Sequence, residues 1–170
     1  MEVKLALYND DNNDAERDIA VCLIMKFWEE HNSFTPNEKE AFEDLKEWTK
    51  KGHALYFIDL NGEHVGFLHL GSRGCEADWL EDIFVLPRFR GKGVGSSAIR
   101  LAEDIVREYS ESLYIEAAAR NTRAIRLYHR IGYNCLNTIT VRKDFRPERY
   151  EAVGKERIAE TDFDVKQYKK

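Results

Sequence analysis

The stretch Leu80-Glu81-Asp82-Ile83-Phe84-Val85-Leu86-Pro87-Arg88-Phe89-Arg90-Gly91-Lys92-Gly93-Val94-Gly95-Ser96 carries the residues best suited to chemistry. Glycines at 91, 93 and 95 let the backbone curl until successive N–H groups point into one concavity. From Val94 onward apolar residues recur at helical spacing, through Ala98, Leu101, Ala102, Ile105 and Tyr109, so a helix starts at the turn. Its unpaired N–H groups and partial positive charge favour an anion, and Arg90 and Lys92 add full charges. Together they make a receptor for a phosphate or diphosphate. Just upstream, Leu80 to Leu86 is an extended apolar run interrupted by two acids, Glu81 and Asp82, and closed by Pro87, which cannot donate to a ladder.

Two common phosphate-binding patterns are absent. There is no G-x-x-x-x-G-K-[ST], and the glycines here are spaced by two throughout, unlike G-x-G-x-x-G. The elements that hold the turn are readable from periodicity. Val3, Leu5 and Leu7 alternate as a short strand. Asn9 to Asp14 starts a helix whose stripe is Ile19, Leu23 and Phe27. Thr35, Pro36 and Glu38 predict a second helix start with Thr35 as cap, and Ala41, Leu45 and Trp48 form its inner face. Ala54 to Leu60 reads as a central strand, Asn61-Gly62 as a hairpin turn, and Glu63 to Leu70 as the return strand. With Trp79 to Leu86 these make an antiparallel meander. Leu113 to Ala118 is a further strand, parallel to its predecessor because a helix intervenes. Asn121 caps a last helix carrying Ala124, Leu127, Tyr128 and Ile131, and Gly132 ends it. Tyr133 to Lys143 is strand-like. Residues 146–170 are highly charged and predict a partly helical appendage, able to cover the sheet edge, join a homodimer contact or stay mobile.

The chain has 170 residues, 43% of them hydrophobic, which suits one domain with one core. A net charge of −5 argues against general binding of nucleic acid and is compatible with a cationic small substrate. The three cysteines are scattered and no C-x-x-C occurs, so neither a disulfide framework nor zinc is expected. No signal segment or bilayer-length apolar run is present, which makes the cytoplasm the expected compartment and a membrane partner unexpected.

Arg90-x-x-Gly93-x-Gly95, after a strand ending in Val85 and a proline, resembles the diphosphate loop of the GNAT superfamily of acetyl-CoA-dependent N-acetyltransferases. Asn121-Thr122-Arg123-Ala124-Ile125-Arg126-Leu127-Tyr128-His129-Arg130-Ile131-Gly132-Tyr133 resembles the superfamily pattern N-x-x-A-x-x-x-Y-x-x-x-G-[FY]. The resemblance covers roughly Val3 to Phe145. It implies an α/β fold with a mixed, mainly antiparallel sheet, one splayed parallel strand pair and about four flanking helices. Residues 1–145 would form the acetyltransferase domain and 146–170 its charged appendage. Acetyl-CoA would be the co-substrate, with no metal. Its contacts would come from Ile83, Phe84, Val85, Arg90, Gly91, Lys92, Gly93, Val94, Gly95, Ser96 and Asn121. Tyr128 would face the thioester sulfur as catalytic acid.

Acyl transfer to an amine also needs the amine neutral. An ammonium near the lysine value of about 10.4 lies roughly 3.4 units from that state at pH 7, a cost of about 4–5 kcal/mol. A carboxylate can accept the proton. The Leu80-Glu81-Asp82 phrase resembles the strand of the spermidine/spermine acetyltransferases, where it helps line the polyamine site, and a similar acid pair occurs in streptothricin acetyltransferases. Glu81, then Asp82, are therefore the candidate bases or amine anchors; successive strand residues face opposite ways, so one of them is expected to face the cleft. Leu80, Trp28, Glu30 and Phe34 are the other candidates for the acceptor wall, with core packing the competing role for Trp28. The reading is a small cationic amine acceptor, polyamine-like or aminoglycoside-like. The alternatives are a protein lysine or N-terminal acetyltransferase and a non-catalytic acetyl-CoA-binding module.

Overall fold

In a computed structural model, the described residues are 2–9, 14–32, 35–74 and 76–169. They divide into two compact units, Met1–Glu116 and Ala117–Lys170.

The first unit is built on a five-stranded sheet in the order β1 (Val3–Leu7), β2 (His53–Leu60), β3 (Glu63–Gly71), β4 (Trp79–Val85), β5 (Tyr114–Ile115). The first three pairings are antiparallel and β4–β5 is parallel. The β2–β3 hairpin turns on Asn61 and Gly62, both at positive φ (52° and 87°), the backbone that a two-residue hairpin of the primed type requires. α1 (Asp14–Asn32) and α2 (Glu38–Thr49) pack through Ile24, Phe27, Ala41 and Leu45 onto Leu55, Phe57, Phe67 and Phe84. Strand residues on the opposite alternation, Ile58 and Leu68, are also fully buried. α3 (Val94–Arg107) contacts β1 and β4 and buries Val94, Ala98, Ile99, Ala102 and Val106. Val94, Ile99 and Val106 each contribute roughly 1.5–3 kcal/mol through removal from water, and the alanines less.

The cap of α2 differs from the expected one. Asn37, not Thr35, accepts from the Glu40 N–H at 3.0 Å, and Glu40 returns a bond to the Asn37 N–H at 2.9 Å. The same reciprocal logic operates two residues later, because Asn37 is as good a cap as Thr and is followed at the third position by a glutamate.

The second unit holds α4 (Thr122–Ile131) and a hairpin, β6 (Tyr150–Ile158) with β7 (Thr161–Tyr168). The expected partly helical appendage is thus a β-hairpin. Tyr150 and Tyr168 pair edge to face at 5.4 Å across it, and Ala159 and Glu160 make its turn at positive φ. The strand expected over 133–143 is also not formed: its apolar residues Leu136, Ile139 and Val141 stay exposed, and no strand among the described residues pairs with them. Strand propensity reflects fit to a half-buried pleated surface, and none is offered there. Among the described residues the architecture is α/β with four helices.

Candidate active site

β4 leads through a short turn of 3₁₀ helix, Pro87–Phe89, into the glycine turn and α3. Gly91 and Gly93 both sit at positive φ, 73° and 84°, a conformation that costs other residues energy. Gly93 is the N-cap and supplies no side chain to the helix end. The first intrahelical bond runs from the Ser97 N–H to the Gly93 carbonyl at 2.9 Å. The N–H groups of Val94, Gly95 and Ser96 therefore precede the helical ladder and are directed out of the helix end. That donor set, with the exposed Lys92 beside it, fits a diphosphate.

Arg90, expected as a charge for the phosphate, is bonded within the protein. Its Nε donates to the Val85 carbonyl at 2.6 Å, its Nη1 lies 2.6 Å from Glu30, and its guanidinium stands over the Phe84 ring. It ties the end of β4 to α1. Glu30, an expected acceptor-wall residue, is the partner in that tie. It also lines, with Lys26, Glu29, Leu86, Pro87 and Arg88, an open hollow of about 420 Å³.

The β4–β5 pairing stops after Trp79↔Tyr114 and Leu80↔Ile115. On the other edge the Leu86 N–H donates to the Val65 carbonyl at 2.9 Å, one step beyond the Gly66↔Val85 pair. Hydrogen-bonded and non-bonded pairs alternate in an antiparallel ladder, so the main chain of Phe84 faces β3, whereas the N–H groups of Ile83 and Val85 face away from it. Those two lie along the edge that β5 has left. Phe84 instead contributes a side chain buried in the core.

The two acids do not follow simple strand alternation. Leu70 pairs with Leu80 and His69 with Asp82, so Glu81 is the extra residue of a bulge. A bulge re-aims side chains: the Asp82 carboxylate reaches a histidine pair, and the Glu81 side chain passes close to it. His69 Nδ1 is 3.0 Å from Asp82 Oδ2, and its Nε2 is 2.9 Å from His53 Nδ1. The point where a Cβ on Gly71 would sit is 2.8 Å from Cγ of Glu81 and 3.0 Å from Nδ1 of His53. The two carboxylates have different partners, Asp82 meeting His69 and Glu81 meeting Arg73.

Arg73 holds Glu81 with two bonds, Nε at 2.9 Å and Nη2 at 2.7 Å, and holds Glu116 through Nη1 at 2.7 Å. Its guanidinium lies 3.8 Å over the Trp79 ring, which stacks on Tyr114. Hydrogen bonding to Arg73 keeps the Glu81 carboxyl below its ordinary value. Trp48 stacks on His69 at 5.0 Å. Trp28 donates to Asp44 at 2.7 Å and packs among Phe27, His31 and Trp48; burial pushes the Asp44 carboxyl up, against that bond. Burial, then the neighbouring His69, pushes His53 down. Leu80 is 2% exposed, and Phe34 lies outside the described residues.

In the second unit, Asn121 caps α4: its Oδ1 accepts from the Ala124 N–H at 3.2 Å. Gly132 ends the helix at φ 117°, and Tyr128 meets Tyr133 edge to face at 6.2 Å.

Residues 23–133, the span from α1 to the end of α4, match the profile of the acetyltransferase (GNAT) family. The chain belongs to that family. It is 29% identical over 143 residues to the spermine/spermidine N(1)-acetyltransferase of Bacillus subtilis (strain 168), covering 78% of this chain and 88% of that one. Among solved structures, the fold matches AAC(6')-Iy in complex with the bisubstrate analog CoA-S-monomethyl-acetylneamine, with a TM-score of 0.62, 19% identity, and coverage of 85% of this chain and 99% of that chain. It also matches a possible acetyltransferase from Clostridium difficile 630, with a TM-score of 0.64, 11% identity, and coverage of 84% and 98%.

As a GNAT acetyltransferase the protein is an enzyme that moves an acetyl group from acetyl-CoA to an amine. The glycine turn and the outward N–H groups of β4 belong to its first unit and the Asn121–Tyr128 helix to its second. Sequence reasoning missed three residues at the acid end of β4: Arg73, His53 and His69. The available signal was His69, a polar residue inside the buried run of β3. No helix among the described residues is long and apolar enough to cross a membrane.

Proposed function

We propose that this enzyme acetylates a primary amine on a small cationic acceptor, polyamine-like or aminoglycoside-like, by direct attack of the amine on the thioester. One observation carries the reading: Glu81 and Asp82 share a bulged segment of β4 immediately before the outward N–H groups, with Glu81 held in its charged form by Arg73. A carboxylate with a depressed pKa is a poor base, and each oxygen bound to Arg73 keeps a further lone pair with which to accept from an ammonium group. Glu81 and Asp82 recruit the cation, beside the stack of Arg73, Trp79 and Tyr114. Similarity to a spermine/spermidine acetyltransferase supports the same acceptor class.

In this reading the N–H groups of Val94, Gly95 and Ser96, with Lys92, bind the diphosphate. Acetyl-CoA supplies the activated acyl group. The Ile83 and Val85 N–H groups accept the charge that develops on the thioester oxygen. By residue match, Asn121 contacts the pantetheine side and Tyr128 donates a proton to the departing thiolate. Release of free CoA, assayed over polyamines, aminoglycosides, amino acids and peptides, tests the reading. Polyamines or aminoglycosides should turn over, and Tyr128→Phe should lower kcat about 10²–10⁴-fold with acetyl-CoA affinity retained. Turnover confined to peptides would replace the acceptor assignment.

A further inference from the structure

We propose that His53 takes the proton from the acceptor amine, and that His69 and Asp82 position it for the task. The proposal rests on the amine-acetylation reading above and assigns its missing base. Asp82 as a carboxylate only accepts hydrogen bonds, so His69 must carry its hydrogen on Nδ1, 3.0 Å away. A neutral imidazole with Nδ1–H has a bare Nε2. That Nε2 accepts from His53, whose hydrogen must then also be on Nδ1, 2.9 Å away. The free lone pair of the chain therefore sits on His53 Nε2. That nitrogen has no hydrogen-bond partner among the described residues, and His53 is partly open to solvent.

The two rings differ in setting. His69 is 3% exposed and clamped between Trp48 and His53, stacked at 5.0 and 5.2 Å. It cannot meet a substrate; it fixes its neighbour. His53 and the Glu81 side chain border the same space above Gly71, so an ammonium drawn to the two acids comes near the His53 ring. The groups facing His53 are His69 on β3, Glu81 on β4, and Lys50 and Glu47 from the end of α2. Burial is the largest influence and lowers the His53 pKa despite the two acids, so His53 is neutral at pH 7 and able to accept.

The proton balance is simple. One ammonium N–H bond breaks and the His53 Nε2–H bond forms, leaving the electron pair on the amine nitrogen for attack. The positive charge on His53 is opposed by Asp82 through the two Nδ1–H bonds. His53 returns the proton to water after the amide forms.

Two measurements test this on the intact protein. The first is the pH profile of kcat/KM with an amine that the wild type acetylates. His53→Gln keeps a donor toward His69 but cannot take a proton. It should lose about 10²–10⁴-fold in kcat near pH 7 and lose the acid limb, with acetyl-CoA uptake by calorimetry unchanged. A wild-type rate and acid limb in His53→Gln would overturn the proposal. The second is the ¹⁵N spectrum of the imidazoles. Both rings should show the Nδ1–H tautomer in the wild type, and Asp82→Asn, which can donate as well as accept, should bring up Nε2–H at His69. A wild-type His53 bearing its hydrogen on Nε2 would overturn the proposal without any assay. Failure of the wild type to take up acetyl-CoA would instead remove the transferase reading, and the spectra would still decide the histidine chain.

Discussion

Replacing Gly66 by alanine tests the strand geometry on which the proposed oxyanion donors depend. Gly66 lies in β3 opposite Val85 and its backbone is not in the left-handed region, so alanine meets no local strain. The obstacle is across the ladder. A Cβ there would sit far inside contact distance of the Phe84 carbonyl oxygen and 3.0 Å from both the Phe84 carbonyl carbon and the Val85 Cα. These are main-chain atoms of β4, which cannot swing aside as a side-chain tip can. Overpacking costs about 1–3 kcal/mol, and a main-chain clash belongs at the upper end. About 3 kcal/mol is roughly two powers of ten in the folding equilibrium and, for a chain of this size, about 6–12 °C in Tm. All three tryptophans, Trp28, Trp48 and Trp79, lie in the first unit, so fluorescence-detected urea unfolding reads the change there. Below the transition, displacement of the Val85 N–H should lower kcat by up to about 10²–10³-fold, the worth of one oxyanion donor. Gly95→Ala is the control: its Cβ would meet only Val85 Cγ2, at 3.9 Å, and helix propensity should stabilise it by about 0.5–1 kcal/mol. A Gly66→Ala protein with the wild-type midpoint and kcat would refute the close β3–β4 approach, and with it the outward placement of the Ile83 and Val85 N–H groups.

Two further outcomes follow from the same geometry. Arg73→Met removes the bonds that depress the Glu81 pKa; a depressed carboxyl stabilises the fold above its ordinary value of 4.5 and loses that contribution as pH falls through the lower folded value. Stability measured against pH should therefore fall less steeply below about pH 4.5 in Arg73→Met, with under about 1 kcal/mol lost at pH 7 because the pair is partly solvated; an unchanged acid slope would deny the pair its role. Gly93→Ala places a side chain at φ 84°, a strain of about 1–2 kcal/mol, at the residue that opens the helix end proposed to bind the diphosphate. Calorimetry should find weaker acetyl-CoA uptake with little change in amine specificity, and undiminished uptake would move the diphosphate away from the turn.

What the sequence disclosed, it disclosed through local rules. Asn61-Gly62 fixes a primed hairpin turn because the pair tolerates positive φ at both positions, and the glycines of the turn mark where α3 begins. Asn121 caps α4 as its position before the apolar stripe indicates. The features that stayed hidden are all set by pairing between distant segments. The stretch 133–143 has strand-forming residues yet no neighbour to pair with among the described residues, whereas the charged tail folds as a hairpin because β6 and β7 supply each other's ladder. The acid pair shows the cost of reading alternation alone. Period two predicts that Glu81 and Asp82 alternate, but the register step between His69 and Leu70 makes Glu81 supernumerary; Asp82 meets His69, which in turn meets His53, sixteen residues away in sequence, and Glu81 meets Arg73. No short-range pattern contains that information. Arg90 adds the complementary lesson: its type and position suit a phosphate, but once β4 ends beside α1 the nearest unsatisfied charge is Glu30, and the guanidinium turns to it. A turn can thus keep outward main-chain N–H groups while its arginine is bonded to the fold, and the proposed diphosphate site is built from those N–H groups and Lys92.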